Sequence, residues 1–207
     1  MPLIRSAPIM PDATTEAPEL HRDQLTSNDV DERRRAARAL SGDPAAASIL
    51  AARLAVEPDL RVRDALFGSL IDIGGTRAAE LIAAFIRSED AGLRGGAIDA
   101  LKRLDADAVV VLDTLMNDPD TDVRILAVEV TRAWPRELAN PRLRRVFETE
   151  PHVNVCAAAV DVATEIGGED LLVALSALRA RFASEPFLVF AIDVTCSRIR
   201  NDDARGV

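Results

Sequence analysis

Apolar and polar positions along this chain repeat with a period of about 31 residues. Five segments superimpose. They end at residues 40, 70, 101, 131 and 163, so successive segments are 30, 31, 30 and 32 residues apart. Within each segment the apolar residues recur three and four positions apart, which places them on one side of an α-helix. Because self-similarity at this period is typical of helical repeat architectures, the pattern predicts a stack of helical hairpins.

Proline and the residue before it mark where several of these helices begin. Asp43-Pro44 places a capping carboxylate before a proline at the first helical position, and Asn140-Pro141 repeats that arrangement near the fourth repeat. Both pairs are therefore predicted helix starts. Together with the repeat register they predict helices at residues 29–41, 44–56, 59–73, 76–88, 91–104, 106–117, 121–134, 140–149, 152–166, 168–182 and 186–200.

Glycine pairs occur at one position of the repeat. Gly74-Gly75 and Gly167-Gly168 both sit at the thirteenth position of the repeat motif, just after the last apolar residue of a predicted helix. A residue with positive φ commonly ends a helix, and glycine adopts that conformation most easily. We therefore expect a left-handed helix cap at both pairs.

The two ends of the chain differ from the repeats. Residues 1–18 contain four prolines among small and acidic residues, which predicts a disordered leader. Residues 19–27 are expected to form one short helix and residues 201–207 a tail, so the repeat domain is predicted at residues 19–200. Hydrophobic residues make up 48% of the chain, and Ala and Leu far outnumber its six Phe and one Trp, which favours closely packed helices.

Charge and composition narrow the class of partner. The net charge of -9 argues against a nucleic-acid backbone as the partner, because such binding depends on clustered Lys and Arg. No apolar run approaches the roughly 18 to 20 residues that span a membrane, so no membrane partner is expected. The two cysteines make no disulfide or zinc framework, and a reducing, cytoplasmic setting is the default.

The sequence also shows no combination of residues that predicts a catalytic site. His21 and His152 fall in different repeats, which argues against a metal site or a His-centred triad. Cys156 and Cys196 are expected to be small buried packing residues. We therefore predict no catalytic residue, no metal and no cofactor.

The repeat motif itself resembles a known family. The motif reads acid-x-Val/Leu-Arg-x-x-Ala-apolar-x-Ala-Leu, and it is matched most closely at 120–124 and more loosely at 60–63 and 91–94. This pattern resembles HEAT repeats, specifically the HEAT-like repeats of the phycobilisome lyase type, from residue 29 to about 200. The resemblance implies an all-α fold, a right-handed α-α superhelix (α-solenoid) of about five to six hairpins. In that family the Arg-bearing helix is the second of each hairpin and lines the concave face.

The same resemblance implies a structural role for a column of arginines. In the family, this Arg commonly pairs with an acid in a neighbouring turn, so that a ladder runs along the stack. At the next two positions of the column, Cys156 and Leu188 replace Arg, so the ladder is expected only in the first four repeats. The expected ladder residues are Arg33, Arg63, Arg94 and Arg124.

The seventh motif position carries a predicted acidic row. Matching 191–194 to 159–162 gives a step of 32 for the last repeat and places Asp193 in this row. Stacked helices lie about 10 Å apart, and a row of one sign attracts cations or a basic peptide. The alternative is a solvated helix face, in which Lys102, Arg103 and Arg132 pair with these acids. The predicted row consists of Asp99, Glu129, Asp161 and Asp193.

Two apolar residues and the single tryptophan are further candidates for partner contact. Ile125 and Val189 occupy the third motif position, which is Arg34, Asp64 and Gly95 in the first three repeats. They either face the groove or are covered by the next repeat. Trp134 ends a helix before Pro135 and is either a core element or an anchor for a partner.

Aromatic residues cluster in the last hairpin. Phe182, Phe187 and Phe190 lie near the C-terminus, whereas terminal repeats usually present a polar outer face. This clustering indicates a homodimer through the C-terminal hairpin or docking onto a partner.

Three functions follow as expectations. The first is a non-enzymatic scaffold or adaptor that binds another protein, through a basic or amphipathic segment, on its acidic concave face. The alternative, implied by the resemblance, is an accessory factor for attachment of a bilin-like cofactor to a client protein. A remote alternative is a DNA-binding repeat protein of the glycosylase type, which requires a positive groove that this acidic chain lacks.

Overall fold

The computed structural model describes residues 13–203, and the side chains of residues 19–201. The described part of the chain is all-helical, and its consecutive helices pair into six hairpins, which confirms the predicted all-α repeat fold. The helices are α1 (Ala13–Gln24), α2 (Val30–Ala39), α3 (Ala47–Leu54), α4 (Leu60–Ile73), α5 (Gly75–Ala83), α6 (Ala91–Leu104), α7 (Val109–Leu115), α8 (Thr121–Val130), α9 (Arg136–Thr149), α10 (Val153–Ile166), α11 (Leu172–Arg181) and α12 (Pro186–Asp203).

The chain forms two compact units, Met1–Ile73 and Gly74–Val207. In the described part of the first unit, α2 and α4 pack side by side, α1 packs on α2, and α3 packs on α4. In the second unit, α6, α8, α10 and α12 pack successively side by side, and we call them the even layer. The other helices of that unit, α5, α7, α9 and α11, pack against this layer. The apolar residues between α8 and α12 form one continuous core.

Aspartates start most helices of the Arg-bearing type. Their carboxylates accept hydrogen bonds from backbone N–H groups of the first turn, at 2.8 Å for Asp29, 2.9 Å for Asp59, 2.8 Å for Asp90 and 2.9 Å for Asp120. Such a cap stabilises a helix by about 1 kcal/mol. In α10 the ring Nδ1 of His152 replaces the carboxylate and accepts from the N–H of Asn154 at 3.3 Å.

The first helix extends further than predicted. It begins at Ala13, so residues 13–18 are helical although the sequence assigns them to the leader. Packing of α1 on α2 accounts for the difference, because most helix stability in proteins comes from tertiary contact and one proline removes only one backbone donor. The rest of the predicted leader, residues 1–12, lies outside the described residues. So do residues 204–207 of the predicted tail, whereas 201–203 continue α12.

The predicted helix start at Asn140-Pro141 is wrong. Helix α9 begins at Arg136, and Pro141 lies inside it. The N–H groups of Leu138 and Ala139 donate to the carbonyl of Pro135 at 2.9 and 3.0 Å, which closes the first turn ahead of Pro141. Asn140 is buried and donates from Nδ2 to Asp170 Oδ1 at 2.8 Å, so it links two hairpins and caps nothing.

The two glycine pairs differ in backbone conformation. Gly74 and Gly75 have φ of 66° and 71°, so the predicted left-handed conformation is confirmed there. At the other pair it is wrong, because Gly167 has φ of −62° and Gly168 has φ of −123°. Close packing explains Gly167 instead, since a Cβ at this position would lie 2.5 Å from the carbonyl oxygen of Ala163.

Alanine substitutions at two glycines should therefore have opposite effects. We expect Gly167→Ala to lower the free energy of unfolding by about 1 to 3 kcal/mol, because a backbone atom blocks the new methyl group. We expect Gly95→Ala to raise it by about 0.5 to 1 kcal/mol, because Gly95 lies inside α6 with no atom near the new methyl. Urea denaturation followed by far-UV circular dichroism measures both. Equal effects of the two changes would contradict this account.

Candidate functional site

The four predicted ladder arginines share one backbone contact. Each donates to the carbonyl oxygen six residues earlier, in the turn that leads into its own helix. This contact fixes the turn against the helix, independently of any acid. The distances are 2.9 Å from Arg33 to Ser27, 2.6 Å from Arg63 to Glu57, 2.7 Å from Arg94 to Ser88 and 2.8 Å from Arg124 to Asp118.

The first and fourth arginines of the column, Arg33 and Arg124, also bind a carboxylate through two hydrogen bonds. Arg33 donates to the two carboxylate oxygens of Glu57 at 2.9 and 2.8 Å, and Arg124 donates to those of Glu150 at 2.9 and 3.0 Å. Both acids precede a proline in the turn between the two helices of the next hairpin. The pairs therefore hold the Arg-bearing helix of one hairpin to the turn inside the following hairpin.

Glu57 is the most deeply buried acid of this arrangement, with no exposed surface. Burial by itself would raise the pKa of its carboxyl group. Hydrogen bonds from Arg33, the backbone N–H of Asp59 and Arg53 outweigh that effect and lower the pKa from 4.5 to about 2. Glu57 is therefore a permanently charged structural residue at neutral pH.

Where Cys156 replaces Arg, an arginine from the next hairpin takes its place. The thiol of Cys156 donates weakly to the carbonyl of Glu150 at 3.4 Å, six residues earlier. Arg181, at the end of α11, donates to that same carbonyl at 2.9 Å and to the carbonyls of Phe147 and Glu148 at 3.0 and 2.8 Å. The turn after α9 is thus held by an arginine, although the column itself has none there.

The acidic row is organised by Arg132, in the single 3-10 turn that follows α8. Its guanidinium binds Glu129 at 2.9 and 3.0 Å and reaches across to α10, where it binds Asp161 at 2.7 Å and also Glu165. These contacts raise the pKa of Arg132, chiefly through the hydrogen bond to Glu129. We call Glu129, Arg132, Asp161 and Glu165 the Arg132 cluster.

The Arg132 cluster has more negative than positive charge. Three carboxylates share one guanidinium, which leaves two negative charges uncompensated within the cluster. The side chains of Asp161 and Glu165 are 70% and 58% exposed, so their remaining lone pairs face solvent. Asp99 is also exposed, one helix away on α6. The exposed oxygens of Asp161 and Glu165 can therefore accept further hydrogen bonds. Arg198 of α12 adds one cation beside them, because its guanidinium donates to the carbonyls of Ala163 and Thr164.

Asp193 does not continue the row. Buried Leu188, Ile192 and Thr195 on α12 match Val155, Ala159 and Val162 on α10, a step of 33 and not 32. The extra residue turns each following side chain by about 100° around the helix. Asp193 instead pairs with Arg179 of its own hairpin at 2.8 and 3.0 Å. Val194 takes the row position on α12.

The same register change moves the predicted apolar contacts. Phe190, not Val189, falls in the column of Ile125, and Val189 falls in the column of Cys156. Ile125 is half-buried and packs against the core of the second unit. Val189 is half-buried as well.

Trp134 is part of the interior. Only 3% of its surface is exposed, and its indole Nε1 donates to the carbonyl of Leu101 on α6 at 3.2 Å. The guanidinium of Arg142 lies over the ring at 5.7 Å from its centroid and binds Asp113 at 2.9 Å. The residue therefore joins α6, α8 and α9.

The aromatic residues of the last hairpin have different environments. Phe182 packs partly against the core, and Arg181 lies over its ring at 5.1 Å. On α12, Phe187, Phe190 and Val194 are 77%, 67% and 44% exposed. They lie three and four positions apart, on one side of the helix. We call these three residues the α12 stripe.

Residues with catalytic or metal-binding potential are sparse in the described part of the chain. Burial raises the pKa of the Cys156 thiol to about 11, so it carries no thiolate at neutral pH. Residues 19–201 contain no group of three or more His, Cys, Asp or Glu side chains that could hold a metal ion. Within 13–203, every helix is too short or too polar to span a bilayer.

Comparisons with known proteins bear on the fold. No protein-family model matches the chain, and no curated protein matches it. Among solved structures it is similar to an engineered protein, with 19% identity over 89% of this chain and 96% of that one, at a TM-score of 0.45. It is also similar to the archaeal HEAT-like repeats protein from Thermococcus onnurineus NA1, with 15% identity, coverage of 90% and 88%, and a TM-score of 0.47.

A third similar structure is the complex of CpcE and CpcF of phycocyanin lyase from Nostoc sp. PCC7120. It has 18% identity over 96% of this chain and 100% of that chain, with a TM-score of 0.30. The helical hairpins define the class of this chain as an all-α repeat protein, and the structures it resembles include HEAT-like repeat proteins.

Two of the residues described above, Glu165 and Arg181, were not identified from sequence. Glu165 lies four positions after Asp161, a spacing that places both acids on one side of α10, so the helix period alone would have found it. Arg181 gives no such signal, because it reaches the Glu150 turn from another hairpin.

Proposed function

We propose that this chain is a non-enzymatic scaffold that binds a basic segment of another protein on the exposed face of the even layer. The observation that carries the proposal is the Arg132 cluster, in which three carboxylates share one guanidinium. Lys or Arg side chains of a partner would supply the missing positive charge. The exposed positions of Asp161 and Glu165 leave room for them.

Ion pairs on this exposed face would make binding selective and fast more than they would make it tight. An exposed ion pair contributes about 0 to 1 kcal/mol, so no single acid of the face would dominate affinity. A field of one sign accelerates association and excludes acidic partners, and salt screens it over about 10 Å. Binding through the Arg132 cluster should therefore weaken steeply as salt rises.

The two alternatives from the sequence differ in their support. A role in cofactor attachment rests on the resemblance to lyase-type repeats, and no contact within residues 19–201 favours it. A DNA-binding role would need clustered cations on the binding face, whereas the Arg132 cluster is negative.

Fluorescence anisotropy with labelled peptides of equal length tests the proposal. We expect a Lys/Arg-rich peptide to bind and an Asp/Glu-rich peptide not to bind. Combining Glu129→Gln, Asp161→Asn and Glu165→Gln should weaken binding of the basic peptide by at least roughly tenfold, because it removes three negative charges at one place.

A matched control separates the Arg132 cluster from net charge. Combining Glu137→Gln, Glu148→Gln and Glu169→Gln removes the same charge from exposed positions outside the even layer. We expect it to retain most of the affinity. The proposal fails if both triple variants weaken binding equally, or if the native chain binds basic and acidic peptides alike.

A further inference from the structure

The turns that precede α4, α8 and α10 share one hydrogen bond. In each turn, an acid before a proline accepts from the backbone N–H two residues later, at 3.0 Å for Glu57, 2.9 Å for Asp118 and 2.9 Å for Glu150. The two glutamates also bind the column arginine of the preceding hairpin. Asp118 is shorter by one methylene group, and it forms an ion pair with Arg87 instead.

The column arginine of the hairpin before Asp118 is Arg94. Within residues 19–201, its guanidinium donates only to the carbonyl oxygen of Ser88, at 2.7 Å. A crevice of about 460 Å³ opens beside it, between the N-terminal ends of α6 and α8. Helix α6 also contacts α8 less extensively than α8 contacts α10. We call the interface between the hairpins α5–α6 and α7–α8 the α6/α8 joint.

An exposed ion pair bridges the open end of the α6/α8 joint. Arg87, in the turn before α6, reaches Asp118, in the turn before α8, and the Arg87 side chain is about half exposed. The charged groups that line the crevice are Arg87, Arg94 and Glu89 on the α6 side, and Asp120 and Asp122 on the α8 side. The two sides therefore attract each other, but exposed ion pairs contribute little stability.

The opposite end of the α6/α8 joint is fixed. The buried indole of Trp134 donates to the carbonyl of Leu101 at 3.2 Å, beyond the last turn of α8. At the same end, the backbone N–H of Gly75 donates to a carboxylate oxygen of Asp107 at 2.8 Å. The joint is thus held firmly where α6 and α8 end and weakly where they begin.

The next two joints are held at both ends. Between α8 and α10, the mostly buried Arg124–Glu150 pair lies at one end and the Arg132 cluster at the other. Between α10 and α12, Arg181 binds the turn before α10, and the hydroxyl groups of Thr164 and Thr195 meet at 2.6 Å near the other end. These contacts make the helices from α8 to α12 a block that is stiffer than the α6/α8 joint.

We infer that the α6/α8 joint is a hinge, which the Arg87–Asp118 pair closes and which opens at the N-terminal ends of α6 and α8. Hinge motions concentrate where few contacts cross an interface. Asp99 lies on one side of this joint and the Arg132 cluster on the other, so opening changes the spacing of the acids on the exposed face. The hinge does not depend on the proposed function, and its test contains no partner.

Double electron–electron resonance between two spin labels tests the hinge. Labels at Gly92→Cys and Asn154→Cys span the α6/α8 joint and the joint after it. Labels at Asp122→Cys and Phe187→Cys span only the two joints that are held at both ends. The four residues are exposed and equivalent in the repeat, so each pair is about 20 Å apart at the usual helix spacing. We expect the first distance distribution to be at least roughly 1.5-fold wider than the second.

Three substitutions test what closes the joint, in a background with Cys156→Ser and Cys196→Ser. Arg87→Gln removes the ion pair and should widen the first distribution by roughly another 1.5-fold without changing the second. Asp118→Glu supplies the longer side chain that binds the column arginine in other turns, so it should narrow the first distribution to the width of the second. Arg77→Gln removes the same charge from an exposed pair within α5 and should change neither.

The outcomes separate a hinge from a uniformly stiff stack. Equal widths for the two label pairs in the native background overturn the inference. An effect of Arg77→Gln as large as that of Arg87→Gln also overturns it, because net charge and not the ion pair would then control the joint. Circular dichroism checks that every labelled variant keeps its helix content, so that a change in width reports on the joint and not on unfolding.

Discussion

Replacing Glu57 by Ala should lower the free energy of unfolding by about 3 to 5 kcal/mol, because it leaves buried positive charge without a counterion. Arg33 is only 6% exposed and receives two of its hydrogen-bond acceptors from Glu57. Arg53 and the N–H of Asp59 would lose acceptors as well. Urea denaturation followed by circular dichroism measures the loss.

A double substitution and a pH series check the cause. Removing Arg33 and Glu57 together should cost less than the sum of the single changes, because the two groups interact directly. The folded pKa of about 2 lies below the ordinary value of 4.5. The native chain should therefore keep this stabilisation above pH 4.5 and lose about 3 kcal/mol as pH falls toward 2. A Glu57→Gln variant that loses the same stability across that pH range would contradict this assignment.

Local sequence signals were sufficient to predict the bounds of most helices to within a few residues. Helix α6 spans Ala91–Leu104, the predicted range, because an aspartate cap precedes it and its apolar residues keep the helical period to the last turn. The Asn140-Pro141 signal failed because Pro135, five residues before Asn140, closes an earlier first turn. A capping pair therefore identifies a permitted helix start and does not exclude an earlier one.

The register of the last repeat could not be read from residue identity. The segments 191–194 and 159–162 are similar in sequence, yet burial of Leu188, Ile192 and Thr195 requires one more residue between the repeats. Ala, Val and Ile are interchangeable at many packed positions, so similarity over four residues does not determine a register. The shift decides which residue of α12 shares a column with Asp161, and that residue is Val194 and not Asp193.

The acidic face was only partly predictable for a related reason. The pairing of Arg132 with Glu129 follows from a spacing of three along one helix. Its contacts with Asp161 and Glu165 depend on how α8 packs against α10. The charge balance of such a site depends on which helices pack together. It therefore cannot be predicted from the periodicity of a single helix.

Trp134→Ala should lower the free energy of unfolding by about 3 to 5 kcal/mol, the usual cost of removing a buried tryptophan. The change would empty the space between α6, α8 and α9 and leave the Leu101 carbonyl without its donor. It would also remove the ring on which Arg142 lies. Circular dichroism in urea is the appropriate measurement, because the variant lacks the chain's single tryptophan fluorophore.

Trp134→Phe separates packing from hydrogen bonding. The phenyl ring fills part of the space but has no N–H, so we expect a smaller loss, to which the missing hydrogen bond contributes about 1 kcal/mol. The sequence left two roles open for this residue, a core element or an anchor for a partner. If it is a core element, a stability loss accompanies both substitutions, and peptide binding by the folded Trp134→Phe variant is unchanged. A variant with native stability and weakened peptide binding would instead place the indole at the interface, which its contact with Leu101 argues against.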